Sequence, residues 1–386
     1  MSSAPQTTLG RIEALTSLRF IAAFVVVCLH FGGETALVRV APGIFTAGFE
    51  MVTLFFVLSG FVLTLAYAGK QNISTIEYFV NRIARIAPAY YLALAIVVLG
   101  SLSHGLANIN VKALLLSATF LQAWVPPYPL MLNYPAWSLS VEMAFYLIFP
   151  FVLWVALRMR LRDLLLACLL LWLATQAVLT YWLNSSWYGG YPSESHDLLF
   201  FFPPTHLCSF LWGIYGARLL TARSESVQVS EFWSTVRTIS ICVLTLTVLA
   251  MRFQMARVLP VVLPVMGSLL SPLFLLLILQ LSLGHDRWAR TLSLAPFVAL
   301  GQASYSFYIL QVPIHRIFLK LGSPHLPDNP DIQFWTFVVV LTVASIFAQK
   351  FIESPASKFV RRLMPKKPPQ SVPVSAPPAV TNNIVT

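Results

Sequence analysis

Charged residues are scarce in this chain of 386 residues: only 10% are Asp, Glu, Lys or Arg, whereas 58% are hydrophobic. Soluble domains carry about 25% charged residues, so a chain of this composition cannot cover a water-facing surface. Apolar runs of about 17 to 25 residues, long enough to cross ~30 Å of hydrocarbon, recur along most of the sequence. The scarcity of charge therefore excludes a soluble protein and predicts a polytopic membrane protein.

Cysteine is scarce as well, and internal repeats are not visible. The four cysteines, Cys28, Cys168, Cys208 and Cys242, lie inside apolar stretches without the spacing of metal ligands, so we expect small core residues and no metal. The lack of a repeat counts against a transporter built from duplicated halves. No basic cluster is interleaved with aromatic residues, so the net charge of +11 suits cytoplasmic loops rather than nucleic acid. The expected partner is therefore the lipid bilayer.

Hydropathy and the placement of Lys and Arg predict an all-α bundle of about ten transmembrane helices. Residues 112–124 are apolar but short for a crossing, so we expect a re-entrant or interfacial helix there. Nineteen of the 25 Lys and Arg residues then fall on one side, which the positive-inside rule identifies as the cytoplasm and which holds both termini. The predicted spans are 18–33, 45–68, 83–102, 137–157, 163–183, 198–220, 236–251, 259–283, 294–319 and 334–353.

The same pattern divides the chain into three parts. Residues 1–17 form a cytoplasmic N-terminal segment and residues 18–362 form the transmembrane domain. Residues 363–386 are rich in Pro, Ser and Val without a helical period, which predicts a disordered cytoplasmic tail. We expect a multi-pass protein of the cell membrane.

The first span, LRFIAAFVVVCLHF at 18–31, carries two ionisable residues, Arg19 and His30. Eleven steps of ~100° end within about 20° of three full turns, so the two side chains share one helix face, about 16 Å apart. Ionisable groups in a membrane helix are costly unless they face a cavity or a partner. The pair predicts a slot with a cation at its cytoplasmic mouth and an imidazole at its far end for proton exchange. A simpler interpretation is an interface arginine and a histidine that bonds to a neighbouring helix.

Further motifs extend this pattern, and together they resemble one family, the acyltransferase family three integral membrane proteins. Arg19 and His30 match the family signature of arginine, ten residues and histidine. The resemblance implies an enzyme that moves an acyl group, acetyl above all, from cytoplasmic acyl-coenzyme A to a hydroxyl of a glycan, lipid or small natural product. The other matching motifs are FFVLSGF (55–61), NRIARIAPAYY (81–91), WSLSVEMAFYLIFP (137–150), SYSFYIL (304–310) and FIESPASKFVRR (351–362).

The resemblance implies that Arg19, Arg82 and Arg85 bind the phosphates of coenzyme A. Arg82 and Arg85 are three residues apart on one helix face, and guanidinium groups bind phosphate oxygens in a fork geometry. Positive-inside anchoring is the simpler interpretation. We also predict Ser59 and Gly60 as residues of the donor site, where Gly60 could leave room for the acyl–pantetheine arm; the simpler interpretation is that these small residues let helices approach closely.

Glu142 is the acidic residue of its span, about 7.5 Å deeper than the interfacial Trp137, which is the depth we expect for His30. A carboxylate there could orient the imidazole or bind an acceptor hydroxyl, or it could simply bond to a neighbouring helix. We predict His30 and Glu142 as the catalytic residues. His30 either deprotonates the acceptor hydroxyl or carries the acyl group itself, and the sequence leaves both routes open.

The chain departs from the family pattern at positions that often carry acidic or histidine side chains. Glu13 and Glu50 each precede a departure by one helical turn and could compensate for it. If an acidic residue normally orients His30, Glu142 or Glu50 must supply that charge here. The departures are Thr16, Thr53 and Gln311.

Two other classes of function remain open at this stage. A transporter or flippase for a glycan or lipid also needs ionisable groups along a pore, but it would tolerate the loss of acyl-coenzyme A binding. A non-catalytic receptor or assembly factor on the same scaffold would tolerate replacement of His30 by alanine.

Overall fold

A computed structural model describes residues 6–69, 74–102, 110–222, 230–258, 260–265, 267–283 and 287–362. Across these ranges the chain forms α-helices joined by turns and short 3-10 segments, and no strand occurs in them. Eight of the helices found there are long and apolar enough to cross a membrane. The fold is therefore an all-α polytopic membrane bundle, as the composition predicts. The ten crossings and the cytoplasmic termini stay predictions, and the predicted disordered tail, 363–386, lies outside the described residues.

The long helices occupy the positions of the predicted spans. The first of them begins before its predicted span, at Gln6, inside the predicted N-terminal segment. The helices at the predicted spans are α1 (Gln6–Phe31), α4 (Gly48–Tyr67), α5 (Thr75–Leu102), α7 (Trp137–Arg158), α8 (Leu161–Leu183), α10 (Leu207–Ala222), α11 (Glu231–Val258), α12 (Ser271–Leu283), α14 (Ala295–Leu321) and α15 (Pro330–Ala348). Of these, α12 has 13 residues and is short for a crossing.

Shorter helices connect the long ones. Among them, α6 has eight residues and a length of about 12 Å at 1.5 Å per residue, which is too short to cross a bilayer. This matches the expectation of a non-crossing helix within 112–124. The short helices are α2 (Ala36–Val40), α3 (Pro42–Phe45), α6 (Val111–Ala118), α9 (Glu194–Phe200), α13 (Arg287–Leu292) and α16 (Ser354–Arg362).

Two predicted spans were wrong as continuous helices, because prolines divide one of them and delay the start of the other. The predicted span 198–220 is divided into α9, a 3-10 turn that begins at Pro203, and α10. The predicted span 259–283 begins only at Ser271, after Pro260 and Pro264. Proline has no backbone N–H and clashes with the preceding helical turn, so an apolar run that contains it need not be one helix.

Helices α4 and α10 pack closely, because glycines bring the two backbones together. A Cβ atom added to Gly60 would lie 2.1 Å from the carbonyl oxygen of Phe210, and one added to Gly213 would lie 2.1 Å from that of Val57. Such small residues let helices pack closely in a membrane. Gly60 therefore serves helix packing and lines neither of the cavities described below.

Gly60→Ala tests this contact. Because the new methyl group would overlap a backbone oxygen, we expect a loss of about 1–3 kcal/mol or more in stability, the usual effect of overpacking. The measurement is the midpoint of thermal unfolding in detergent. The matched control is Gly100→Ala within α5, where an added Cβ meets no atom within 4 Å. Equal midpoints for the two variants would contradict the close contact.

Helix α1 packs against both α4 and α14, and α14 packs in turn against α15. The contact between α1 and α14 is close at one end, where a Cβ atom on Gly301 would lie 2.3 Å from the carbonyl oxygen of Thr16. This pairing places α14 beside the whole face of α1 that carries Arg19 and His30.

Candidate active site

Arg19 lines a cavity of about 70 Å³ among α1, α4, α5, α7 and α14, which we call the arginine cavity. Two of the three predicted donor-binding arginines, Arg19 and Arg85, reach it, together with the predicted catalytic Glu142. Its lining residues are Arg19, Phe55, Phe56, Arg85, Ile86, Ser138, Leu139, Glu142, Tyr146, Ser304, Tyr305 and Tyr308.

The charges around the arginine cavity are mainly positive. Arg19 is repelled by Arg85 and Arg82 and attracted by Glu142, while Arg85 also interacts with the buried Glu353, so three guanidinium groups face two carboxylates. Arg85 is exposed, whereas Arg19 is half-buried. An excess of buried or partly buried positive charge favours an anion, because opposite charges are weakly screened away from water.

Arg82 lies behind the cavity wall. Its guanidinium carbon is 5.7 Å from the ring centroid of Tyr67 and 5.9 Å from that of Tyr146, which is a cation–π arrangement. Its Nε atom is buried without a hydrogen-bond partner among the described residues. Arg82 therefore supports the wall at Tyr146 and contributes its charge from one turn before Arg85.

Glu142 joins two helices at the arginine cavity. One carboxylate oxygen, Oε1, accepts a hydrogen bond from the Tyr146 hydroxyl at 2.6 Å and another from Ser59 Oγ at 3.1 Å. Ser59 thus reaches the cavity through Glu142 and ties α4 to α7. The two hydroxyl donors fix the orientation of the carboxylate, which lies close enough to Arg19 to attract its guanidinium group.

His30 lines a second and larger cavity, of about 310 Å³, which we call the histidine cavity. Its lining combines aromatic rings with carboxylates and a second histidine, and no Lys or Arg is among the residues that form it in the described part of the chain. These residues are His30, Phe31, Gly33, Glu34, Thr35, His315, Phe318, Leu319, Asp328, Pro330, Gln333, Phe334 and Phe337.

The His30 ring is held by two neighbours. Its Nδ1 atom lies 2.7 Å from Oε1 of Gln311, and its ring makes a T-shaped contact with the Tyr134 ring at a centroid distance of 4.6 Å and an interplanar angle of 78°. The side-chain amide of Gln311 also donates from Nε2 to the carbonyl oxygen of Tyr308 at 2.7 Å. His30 is therefore fixed in orientation at the wall of its cavity.

Arg19 and His30 line different cavities, which corrects the expectation of one shared slot. The two cavities are connected through α14, where Tyr308 lines the arginine cavity and His315 lines the histidine cavity. Gln311 lies between them, at three and four residues from these two positions, so the three side chains share one face of α14. The helical period of α1 predicted a common face but not that α14 divides the space in front of it.

The family described as "Acyltransferase domain" matches residues 12–348. This chain belongs to that acyltransferase family. It is therefore a membrane enzyme that transfers acyl groups, and its several apolar helices make it a multi-pass protein.

Individual relatives are 24–32% identical to this acyltransferase over the parts that match. Acyltransferase MdmB of Streptomyces mycarofaciens is 26% identical over 81% of this chain and 80% of its own length. Peptidoglycan O-acetyltransferase OatA of Listeria monocytogenes is 24% identical over 90% of this chain, which spans only 56% of the relative. The exopolysaccharide production protein ExoZ of Rhizobium meliloti is 32% identical over 27% of this chain and 34% of its own length. No solved structure matches the chain.

The acyltransferase also shows how its departures from the family pattern are accommodated. The partner that accepts a hydrogen bond from the His30 ring is the Gln311 amide oxygen, whereas Glu142, which we expected at the depth of His30, lies in the arginine cavity. Thr53 is buried, and its Oγ1 has no hydrogen-bond partner among the described residues. Sequence reasoning treated Gln311 only as a missing histidine. Its spacing of three residues from Tyr308 within SYSFYILQ places both side chains on one helix face and could have identified Gln311 as a residue of the site.

Proposed function

We propose that this acyltransferase moves an acetyl or similar acyl group from acyl-coenzyme A to a hydroxyl of a glycan, lipid or small natural product in the cell membrane. The observation that carries the proposal is the pair of cavities along α1, one rich in arginine and one open at an oriented histidine. The name of OatA, a peptidoglycan O-acetyltransferase, supports a hydroxyl acceptor and a carbohydrate among the candidates.

The donor would bind at the arginine cavity. Arg85 is exposed there and Arg19 lies deeper, so phosphates at the mouth would meet a guanidinium before the thin arm enters. The arginine cavity is the smaller of the two cavities and lies between five helices, so the thin arm would enter it while the nucleotide would stay outside at the exposed Arg85. Arg82 would add charge from behind the wall, and Glu142 would keep Ser59 and Tyr146 in place around the arm.

Acyl transfer would take place at His30. In the general-base route, Nε2 takes the proton of the acceptor hydroxyl while its oxygen attacks the thioester carbonyl, and the imidazolium returns the proton to the departing thiolate. In the covalent route, Nε2 attacks the thioester carbonyl and the C–S bond breaks, which releases the coenzyme A thiolate. The acceptor hydroxyl then attacks the acyl-imidazole, the C–N bond breaks to restore Nε2, and the hydroxyl proton goes to the thiolate. Both routes need Nε2 unprotonated and facing the cavity, and the geometry of His30 suits either of them.

The acceptor would occupy the histidine cavity. Glu34 and Asp328 place two exposed carboxylates at its rim, and carboxylate oxygens accept hydrogen bonds from hydroxyl groups. Phe31 stacks on His315 at a centroid distance of 4.0 Å, which presents a flat apolar wall beside His30. Such a lining suits a hydroxyl-rich acceptor with an apolar ring face.

Replacing both rim carboxylates tests the acceptor site. We expect Glu34→Gln with Asp328→Asn to raise the KM for the acceptor about tenfold, since ~1.4 kcal/mol of lost binding is a factor of ten. The KM for acyl-coenzyme A should change less than twofold, because the arginine cavity is separate. Asp163→Asn, an exposed carboxylate on α8 that pairs with Arg162 at 3.7 Å, is the control. An unchanged acceptor KM would contradict this site.

The direct experiment for the proposed function uses the purified protein in lipid nanodiscs with acetyl-coenzyme A labelled in the acetyl group. Glycans, peptidoglycan fragments, lipid-linked sugars and small hydroxylated natural products serve as candidate acceptors. We expect label in one acceptor class, released by mild alkali as an ester is. Absence of transfer to every class, with no release of coenzyme A, would contradict the proposal, and movement of an unlabelled acceptor across the bilayer would favour a transporter.

A further inference from the structure

Gln311 connects the two cavities through a chain of hydrogen bonds. The side chain is fully buried, at 0% exposure, within α14. Its Oε1 atom lies 2.7 Å from Nδ1 of His30, and its Nε2 atom donates to the carbonyl oxygen of Tyr308 at 2.7 Å. Both polar atoms of the amide therefore have a partner, which is what burial requires of an amide.

The orientation of this amide follows from its partners. The carbonyl oxygen of Tyr308 can only accept a hydrogen bond, so the amide group must point its NH₂ towards it. The amide oxygen then faces His30, and since that oxygen can only accept, Nδ1 of the imidazole must carry a proton. In the neutral ring, Nε2 is consequently the unprotonated nitrogen.

Tyr308 is itself anchored, which keeps the chain rigid. Its hydroxyl lies 2.9 Å from Ser138 Oγ and donates to the carbonyl oxygen of Pro135 at 3.1 Å. Pro135 directly follows Tyr134, whose ring packs on His30. The segment that starts α7 and the middle of α14 thus fix both the hydrogen bond and the ring contact of the histidine.

We infer that Gln311 is a positioning residue that selects the Nδ1–H tautomer of His30 and thereby presents Nε2 to the acceptor. The role of Nε2 in acyl transfer rests on the proposed function. The tautomer of His30 does not, because it is a property of the resting protein. An amide performs this task without a charge, in contrast to the carboxylate that we expected from Glu142 or Glu50. In this chain, Gln311 stands where the family commonly has a histidine, and it orients His30 through a neutral amide.

The first test measures the tautomer directly in the resting protein. Protein labelled with ¹⁵N-histidine is examined by magnetic resonance in lipid, and the His30 signals are identified as those absent from the His30→Ala variant. We expect a protonated Nδ1 and an unprotonated Nε2. A protonated Nε2 in the neutral ring would overturn the inference, whatever the outcome of the transfer assay.

The second test measures turnover in three variants. Gln311→Leu removes both hydrogen bonds at similar volume, and we expect kcat to fall about 10- to 100-fold, the range known for metal-bound histidines that lose an outer hydrogen-bond partner. The KM values for donor and acceptor should change less than twofold. Gln311→Glu keeps an acceptor oxygen beside Nδ1 and should recover most of the lost kcat.

The matched control is Gln280→Leu, which removes another buried glutamine, 5% exposed, from its bonds to the carbonyl oxygen and Oγ of Ser234. Equal losses of kcat in Gln280→Leu and Gln311→Leu, or an unchanged kcat in Gln311→Leu, would overturn the inference. If Gln311→Leu does not fold, the tautomer measurement and the kcat of Gln311→Glu still test whether Gln311 positions His30. Failure of the proposed function is distinguishable, because the unmodified protein would then transfer no acyl group.

Discussion

The His30→Ala variant is expected to lose acyl transfer by about 10²- to 10⁴-fold, the usual contribution of a positioned proton-transfer group. The covalent route would be lost altogether. Binding of acyl-coenzyme A should persist, because Arg19 and Arg85 line a different cavity from His30. The measurement pairs initial rates of label transfer with equilibrium binding of acetyl-coenzyme A in the same nanodisc preparation.

His325→Ala is the control for this variant, since His325 is an exposed histidine in a short turn after α14. It should transfer the acyl group at the rate of the unmodified protein. Unchanged transfer in His30→Ala would remove the imidazole from the reaction, and a loss of donor binding together with transfer would indicate that the two cavities are one site.

The Arg19→Ala variant is expected to raise the KM for acyl-coenzyme A about 10- to 100-fold, as the loss of ~1.5–3 kcal/mol from a hydrogen bond to a charged group implies. Acetyl-pantetheine carries no phosphate, so the variant and the unmodified protein should use it equally well if the guanidinium binds phosphate. Arg85→Ala should behave in the same way. Arg82→Ala should have a smaller effect, because its guanidinium lies over the rings of Tyr67 and Tyr146.

Arg158→Ala is the control for the arginine variants. Its guanidinium stacks over the ring of Trp154 at 3.9 Å at the end of α7, outside the residues that line the arginine cavity. The KM for acyl-coenzyme A should be unaffected there. An equal loss with acetyl-pantetheine and with acetyl-coenzyme A in Arg19→Ala would show that the arginine acts on the structure rather than on phosphates.

The fold was largely predictable from the sequence, because a membrane-spanning chain must satisfy all its backbone hydrogen bonds internally and long apolar runs do so as helices. A lack of charge and recurring apolar runs suffice to predict a helical bundle. Hydropathy averages over a window, however, and does not register the backbone donors that prolines remove. The predicted spans were therefore wrong at Pro203, and again at Pro260 and Pro264, where the helices end or begin elsewhere.

The site was predictable only as far as single helices determine it. The 3.6-residue period correctly placed Arg19 and His30 on one face of α1, but it says nothing about which helix covers that face. The decisive contact joins His30 to Gln311 across 281 residues of sequence, and one sequence alone does not reveal such a pair. For the same reason, counting residues from Trp137 did not predict that Glu142 would lie beside Arg19.

The turn of α14 from Tyr308 to Gln311 contacts both the arginine cavity and the His30 side chain of the histidine cavity. The tyrosine side chain lines the arginine cavity, and its backbone oxygen holds the Gln311 amide that orients the imidazole in the histidine cavity. A displacement of this turn would therefore alter the walls of both cavities together.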